Sequence, residues 1–294
     1  MNSVRKAKHG WIISLIFAVL SVVYVIPILI VIMNSFKLKA YINRYPFQLG
    51  PFKMVEGWNR FIAGVQKSFV GLENYVEGIK KIDFFKAFGY SLFITVCSVA
   101  VIILCTSMCA WYITRVNDKF SKGIYYLCLF SMIVPFQMVM FTLSKLANMM
   151  HLGNPVGIIL VYLGFGAGLA VFMFCGFVKS IPLEIEEAAM IDGCNPPQTF
   201  FQVVLPILKP TAITVAILQA MWIWNDYLLP YLVLDMKRFK TIPIAIQYLK
   251  GGYGSIDWGA MMAMLVLAII PIIVFYVSCQ RYIIEGVVAG AVKG

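Results

Sequence analysis

Few side chains in this sequence could carry out a chemical reaction. The 294 residues include only two histidines, His9 in the N-terminal tail and His151 in a short connection. Neither has sequence neighbours that would complete a metal site or a nucleophile–base pair. The phosphate-binding pattern GxxxxGKS/T does not occur, so we do not expect this chain to bind ATP by that route. The sequence predicts no catalytic residue, no metal ligand and no cofactor of its own.

An acidic residue inside an apolar run is the next candidate. Asp226 lies in a stretch that we predict to span a membrane, where a carboxylate costs about 2.5–3.5 kcal/mol and usually faces a cavity or a partner. Aromatic rings can stack on sugar rings, while amides and carboxylates bond hydroxyls. The candidates for a translocation path are therefore Trp222, Trp224, Asn225 and Asp226. A structural interpretation competes, because Pro230 could break the helix and leave Asp226 as a cap.

The most informative polar stretch is 184–210, which lies between two apolar runs. Pro182 can begin a short helix, and the three glutamates that follow are favourable near its positive N-terminal end. Gly193 can end that helix in a left-handed turn. The next residues supply an apolar face, formed by Phe200, Phe201, Val203, Val204 and Leu205. We predict a helix–turn–helix element that lies along the membrane surface and is suited to docking.

The composition indicates the class of protein that positions these residues. Hydrophobic residues make up 61% of the chain and charged residues 13%, whereas an average soluble domain is about half apolar and about a quarter charged. A helix rises about 1.5 Å per residue, so about 20 residues cross a hydrocarbon core of roughly 30 Å. The stretches that qualify are about 11–33, 88–113, 124–146, 155–177, 211–234 and 259–281. We predict an all-α integral membrane protein with six transmembrane helices.

Charge and loop composition bear on partners and orientation. The net charge of +11 would suggest nucleic acid for a soluble protein, but here the basic residues lie mainly between apolar runs, where they contact lipid headgroups. Nucleic acid is therefore not an expected partner. The short connections on the side of the termini hold more basic residues, which predicts that both termini are cytoplasmic. We divide the chain into a cytoplasmic segment 1–10, a six-helix membrane domain 11–287 and a cytoplasmic tail 288–294.

The spacing of residues 187–206 resembles the EAA loop of permease subunits from binding-protein-dependent ABC importers. That motif reads EAA, three residues, Gly, nine residues, then I-x-L-P. The matching residues are Glu187, Ala188, Ala189, Gly193, Val203, Leu205 and Pro206, with valine where the family has isoleucine. Asp192 fits the version found in sugar importers. The C-terminal run Gly290–Gly294 resembles the tail of the maltose-type permease subunit. This resemblance covers the whole chain and is weakest in residues 34–87.

This resemblance implies a fold and a set of partners. The fold would be that of a type I ABC importer permease in the bacterial inner membrane. The partners would be a second homologous permease, an ABC ATPase dimer that holds ATP and magnesium, an extracytoplasmic sugar-binding protein, and membrane lipid. The EAA coupling loop 178–210 would rest in a cleft of the ATPase, with contacts from Glu187, Ala188, Ala189, Asp192 and Gly193. The substrate would be a sugar, with an oligosaccharide favoured over a monosaccharide.

The loop 235–258 would face outward in this family and reach into the docked binding protein. Its candidate contact residues are Gly251, Gly252, Tyr253 and Gly254. Direct sugar contacts would come largely from the partner permease, which weakens the case for Asp226 as a ligand.

Two other classes of protein were weighed. An ion-coupled secondary sugar transporter would need membrane-embedded carboxylates, often within inverted repeats, and only Asp226 is available. A membrane enzyme would need a cluster of reactive groups, which the sequence lacks. Co-purification with an ATPase supports the importer, whereas ion-driven uptake by this chain alone supports the secondary transporter.

Overall fold

The computed structural model describes residues 10–51, 57–250 and 256–291, with side chains for 11–51, 57–250 and 256–280. These ranges are helical, with no β-structure beyond two isolated bridges. The first helices are α1 (Gly10–Ser35), α2 (Lys39–Arg44), α3 (Trp58–Ser68), α4 (Glu73–Lys81), α5 (Phe84–Val116), α6 (Lys119–Ile133) and α7 (Phe136–Met149). The remaining helices are α8 (Gly157–Val178), α9 (Leu183–Ile191), α10 (Pro196–Gln198), α11 (Leu205–Ile207), α12 (Lys209–Asn225), α13 (Leu228–Val233), α14 (Ile242–Gln247) and α15 (Trp258–Ala291). A π-helical turn, Thr199–Val204, joins α10 to α11.

Four helices among the described residues are long and apolar enough to cross a membrane: α1, α5, α8 and α15. Two further apolar helix pairs are bent, α6 with α7 by 108° and Pro196–Ile207 with α12 by 74°. The number of spans is six if each bent pair counts as one. The helix α5 has 33 residues and extends beyond the predicted span 88–113 at both ends.

The predicted span 124–146 is not one straight helix. Val134 and Pro135 are extended, with ψ of 115° and 132°, and they separate α6 from α7. Proline has no N–H to donate and disfavours a helical conformation in the residue before it. Hydropathy alone could not detect this break, because both arms are apolar.

The predicted span 211–234 is also interrupted. The helix α12 ends at Asn225, Asp226 is extended with ψ of 124°, and the short helix α13 begins at Leu228. Pro230 lies in the first turn of α13, where a missing N–H costs little. The break falls at Asp226 and Tyr227, before Pro230 in the sequence.

The contacts divide the chain into two compact units, Met1–Phe84 with Ile246–Ile270 and Phe85–Ala245 with Pro271–Gly294. The apolar core of the second unit is built on α5 and α8, through fully buried side chains such as Ile102, Tyr162 and Phe174. Gly168 of α8 allows a close approach to α6, since a Cβ there would lie 2.6 Å from the carbonyl oxygen of Cys128. A Cβ on Gly164, which lies four residues earlier in the same helix, would meet nothing within 4 Å, so of these two glycines only Gly168 makes a close contact.

In the first unit, buried polar groups fix the connection that follows α1. The side chain of Lys37 is buried, and its Nζ donates to three oxygens at 2.7–2.9 Å: Asn34 Oδ1, Tyr45 O and Gln48 O. Burial lowers the pKa of Lys37 to about 8. The three acceptors use all three donors of the ammonium group, so the side chain holds this connection in one conformation.

Candidate functional site

The first arm of the EAA segment, which we define as residues 182–208, is the helix α9. Pro182 precedes it in an extended conformation, and the helix ends at Ile191. The N–H of Gly193 donates to the Met190 carbonyl and the N–H of Cys194 donates to the Ala189 carbonyl, both at 3.0 Å. This pair of bonds is a Schellman motif, and the φ of +89° at Gly193 is the left-handed conformation it requires. The predicted left-handed end of this helix is confirmed.

The second arm begins with a capping box. Asn195 Oδ1 accepts from the N–H of Gln198 at 3.0 Å, and Gln198 Oε1 accepts from the N–H of Asn195 at 2.9 Å. The π-helical turn follows and buries Phe200 and Val204 in the core of the second unit. The two arms are thus separately capped and joined at Gly193, which gives the helix–turn–helix element that the sequence predicts.

The outward face of α9 combines acidic and apolar groups. Glu187, Ala188, Asp192 and Gly193 are exposed, while Ala189 is buried against the rest of the unit. Ile191 has 86% of its side chain exposed, at the end of the helix. Four of the nine residues of α9 are large hydrophobic residues that are 41% or more exposed, and such a group beside carboxylates, on a helix outside the membrane spans, is typical of a protein-binding surface. Four of the five predicted coupling residues therefore lie on one accessible surface.

The inward face of α9 carries a buried carboxylate. Glu186 is 1% exposed, and its Oε1 accepts from Arg115 Nε at 2.9 Å and from an Arg115 terminal nitrogen at 2.6 Å. Its Oε2 accepts from Trp111 Nε1 at 2.9 Å. Arg115 also donates to the carbonyl oxygen of Ile181 at 3.0 Å, just before α9. We call Glu186, Arg115 and Trp111 the Glu186 cluster.

The Glu186 cluster was not predicted from the sequence. Glu186 is one of three glutamates that are favourable near a helix N-terminus, and Arg115 is one of the basic residues in the short connections, whose charge predicts topology. The two residues are 71 positions apart, so no local pattern connects them. The available signal was the position of Arg115 at the end of an apolar helix, together with the connection 178–210, which holds four of the 13 acidic residues of the chain.

The translocation-path candidates do not converge on one surface. Trp224 is 7% exposed and is packed edge-on against Phe88 at 5.8 Å, whereas Trp222 is 41% exposed. Asn225 is exposed but donates to the Met221 carbonyl of its own helix at 2.7 Å. Trp224 is thus buried whereas Trp222 and Asn225 are exposed, and the assignment of the four residues to a translocation path stays a prediction.

The carboxylate of Asp226 acts as a cap. Its Oδ1 accepts from the N–H groups of Leu228 and Leu229 at 3.0 and 3.3 Å, at the start of α13. Its Oδ2 accepts from the hydroxyl of the buried Tyr162 at 3.1 Å, and the Tyr162 ring packs against Trp222. These bonds favour the structural interpretation of Asp226.

The binding-protein contact candidates Gly251, Gly252, Tyr253 and Gly254 lie outside the described residues. The two ends of that loop are held together, since Lys250 and Ile256 form a bridge. Asp257 accepts from Lys81 in an ion pair, and this hydrogen bond raises the pKa of Lys81. Burial works toward a higher pKa for Asp257, but the hydrogen bonds from Lys81 and the Ala260 N–H outweigh it and lower that pKa.

A metal centre is not apparent in the part of the chain that the structure describes, where no three His, Cys, Asp or Glu side chains come together.

Comparison with known proteins connects this geometry to a family. Residues 102–288, more than half of the chain, match the model of the binding-protein-dependent transport system inner membrane component. A relative from Thermoanaerobacterium thermosulfurigenes, the "Probable starch degradation products transport system permease protein", is 36% identical over 293 residues and covers 100% of both chains. The "Multiple sugar-binding transport system permease protein" of Streptococcus mutans is 30% identical over 297 residues, again over 100% of both.

A solved structure shares the fold. It is the crystal structure of a bacterial ABC transporter involved in the import of the acidic polysaccharide alginate, with a TM-score of 0.74 and 19% sequence identity. The match covers 96% of this chain and 99% of that chain. The fold and the EAA segment define a membrane permease. The chain belongs to the family of binding-protein-dependent transport system inner membrane components, whose members are the non-catalytic membrane subunits of ABC importers.

The predicted fold class and the predicted role as a permease subunit are confirmed by these matches. The ion-coupled transporter and the membrane enzyme are set aside, because the family match and the full-length relatives are permeases of binding-protein-dependent importers.

Proposed function

We propose that this chain forms half of a sugar translocation path and that its EAA segment docks into a separate ABC ATPase. The observation that carries the proposal is the outward face of α9, where the 86% exposed Ile191 stands beside Glu187 and Ala188. A hydrophobic side chain so exposed outside the spans is stabilised when a partner covers it. The resemblance to the EAA motif supports an ABC ATPase as that partner.

The substrate and orientation follow from the same family. Three relatives that match over nearly their full length are named as permeases for starch degradation products, for multiple sugars, and for melibiose, raffinose and stachyose, which supports a sugar as the substrate of this chain. If each bent pair is one span, the helix α9 follows the fourth crossing and lies on the same side as the N-terminus. An ATPase in the cytoplasm then requires both termini to be cytoplasmic. Residues 251–254 would lie on the opposite side, where a sugar-binding protein docks.

The docking surface is tested by one substitution and a matched control. Ile191→Glu places a charge at the centre of the outward face and is expected to abolish co-purification of the ATPase with the inserted permease. Leu72→Glu makes the same change at a residue that is 64% exposed, precedes α4 and lies outside the EAA segment. The control is expected to retain the ATPase. Retention of the ATPase by Ile191→Glu, at the level of the control, would contradict the proposed docking.

A further inference from the structure

The Glu186 cluster joins the EAA segment to a membrane-spanning helix. Arg115 and Trp111 are one helical turn apart on α5, and together they engage both carboxylate oxygens of Glu186 on α9. The Glu186 side chain is 2% exposed and the Arg115 side chain 20%. A buried carboxylate is strongly destabilising once it loses its partners, so α9 cannot separate from α5 without a large cost.

The same helix also holds the second arm. The ring of Trp111 lies 5.5 Å from the ring of Phe200, which is 1% exposed in the π-helical turn. One tryptophan therefore contacts α9 through its N–H and the second arm through its ring. If the EAA segment moved, both of its arms would therefore displace Trp111 of α5.

The rest of the segment offers no comparable polar link to α5 among the described hydrogen bonds. The exposed residues Glu187, Ala188 and Ile191 point away from the core and are the ones available to a partner. The docking face and the Glu186 cluster thus occupy opposite sides of one short helix. This arrangement separates the surface that receives a force from the contact that passes it on.

We propose that Glu186, Arg115 and Trp111 are positioning residues that transmit movement of the EAA segment into α5 during transport. This inference rests on the proposed docking of the segment to an ATPase. Loss of the cluster would leave the docking face in place but let α9 move without carrying α5. Variants should therefore hydrolyse ATP with little accompanying uptake.

The test uses the full complex in proteoliposomes, with the ATPase, both permeases and the binding protein. The measured quantities are ATPase co-purification, ATP hydrolysis, and sugar taken up per ATP. Glu186→Gln removes the charge, and Arg115→Lys keeps the charge but loses the two-pronged geometry. Trp111→Phe keeps an aromatic ring beside Phe200 but loses the N–H donor with the pyrrole part of the indole. It leaves the Arg115–Glu186 ion pair in place, so it serves as the test if the stronger variants fail to fold.

We expect Glu186→Gln and Arg115→Lys to lower sugar uptake per ATP at least about tenfold with ATPase co-purification unchanged, since both disrupt a buried ion pair. Trp111→Phe should lower it by a smaller factor. Glu77→Gln, the same change in an exposed ion pair with Lys81, should behave as wild type. A wild-type ratio of uptake to ATP hydrolysis in Trp111→Phe and Glu186→Gln would overturn the inference. Failure of the unaltered chain to retain the ATPase would instead contradict the proposed docking.

Discussion

Substitutions at Gly193 test the effect of backbone conformation on the EAA segment without adding a steric clash inside this chain. A Cβ added there would have nothing within 4 Å, so a side chain fits within this chain. The cost comes from the φ of +89°, which a residue with a Cβ adopts at about 1–2 kcal/mol. That energy corresponds to roughly a 5–30-fold shift away from the Schellman end of α9. Asparagine, which tolerates this conformation better, should lose less.

The assay is ATP-dependent uptake by the reconstituted complex, normalised to the amount of inserted permease. Gly193→Asn is expected to retain most activity, Gly193→Ala to fall several-fold, and Gly193→Val to fall further because a β-branched residue is worst in this region. Gly193→Asp has nearly the shape of Gly193→Asn but adds a negative charge to the docking face. It is expected to abolish transport while leaving the protein inserted. Equal uptake by the Val and Asn variants would refute the role assigned to the left-handed turn.

Two further predictions concern the helix break at Asp226 and the ion pair beside the outer loop. Asp226→Asn keeps an Oδ1 acceptor for the start of α13 and should retain both transport and stability. Asp226→Ala removes the acceptor and should lower the free energy of unfolding by about 1 kcal/mol, measured by thermal unfolding. Equal losses of stability in the two variants would contradict the capping role. The Lys81–Asp257 ion pair should contribute at most about 1 kcal/mol, because Lys81 is half exposed. This contribution should be lost as pH falls through the lowered pKa of Asp257 or rises through the raised pKa of Lys81. A pH profile of unfolding unchanged by Asp257→Asn would rule this out.

Local patterns in the sequence predicted the EAA segment well. The proline before α9, the glycine after it and the apolar residues beyond are short-range signals, and the structure contains the corresponding helix, Schellman end and buried Phe200. Hydropathy located the long apolar helices for the same reason, since the length of a span depends only on consecutive residues.

Contacts between distant residues could not be predicted in this way. The Arg115–Glu186 ion pair joins residues 71 positions apart, and each charge alone has a simpler explanation at its own site. The breaks at Pro135 and Asp226 lie inside apolar runs, where a hydropathy window averages over the one residue that matters. The sequence is compatible with Asp226 as a translocation-path residue and as a helix cap, and its hydrogen bonds to Tyr162, Leu228 and Leu229 favour the cap.

The central claim is that this chain converts ATP hydrolysis by a separate subunit into movement of a sugar. The most direct measurement is uptake of labelled oligosaccharide into proteoliposomes that contain the complex, its binding protein and internal ATP. The account predicts that uptake and binding-protein-stimulated ATP hydrolysis both require this chain and the ATPase, and that a proton or sodium gradient has no effect. Gradient-driven uptake by this chain in the absence of the ATPase would contradict it.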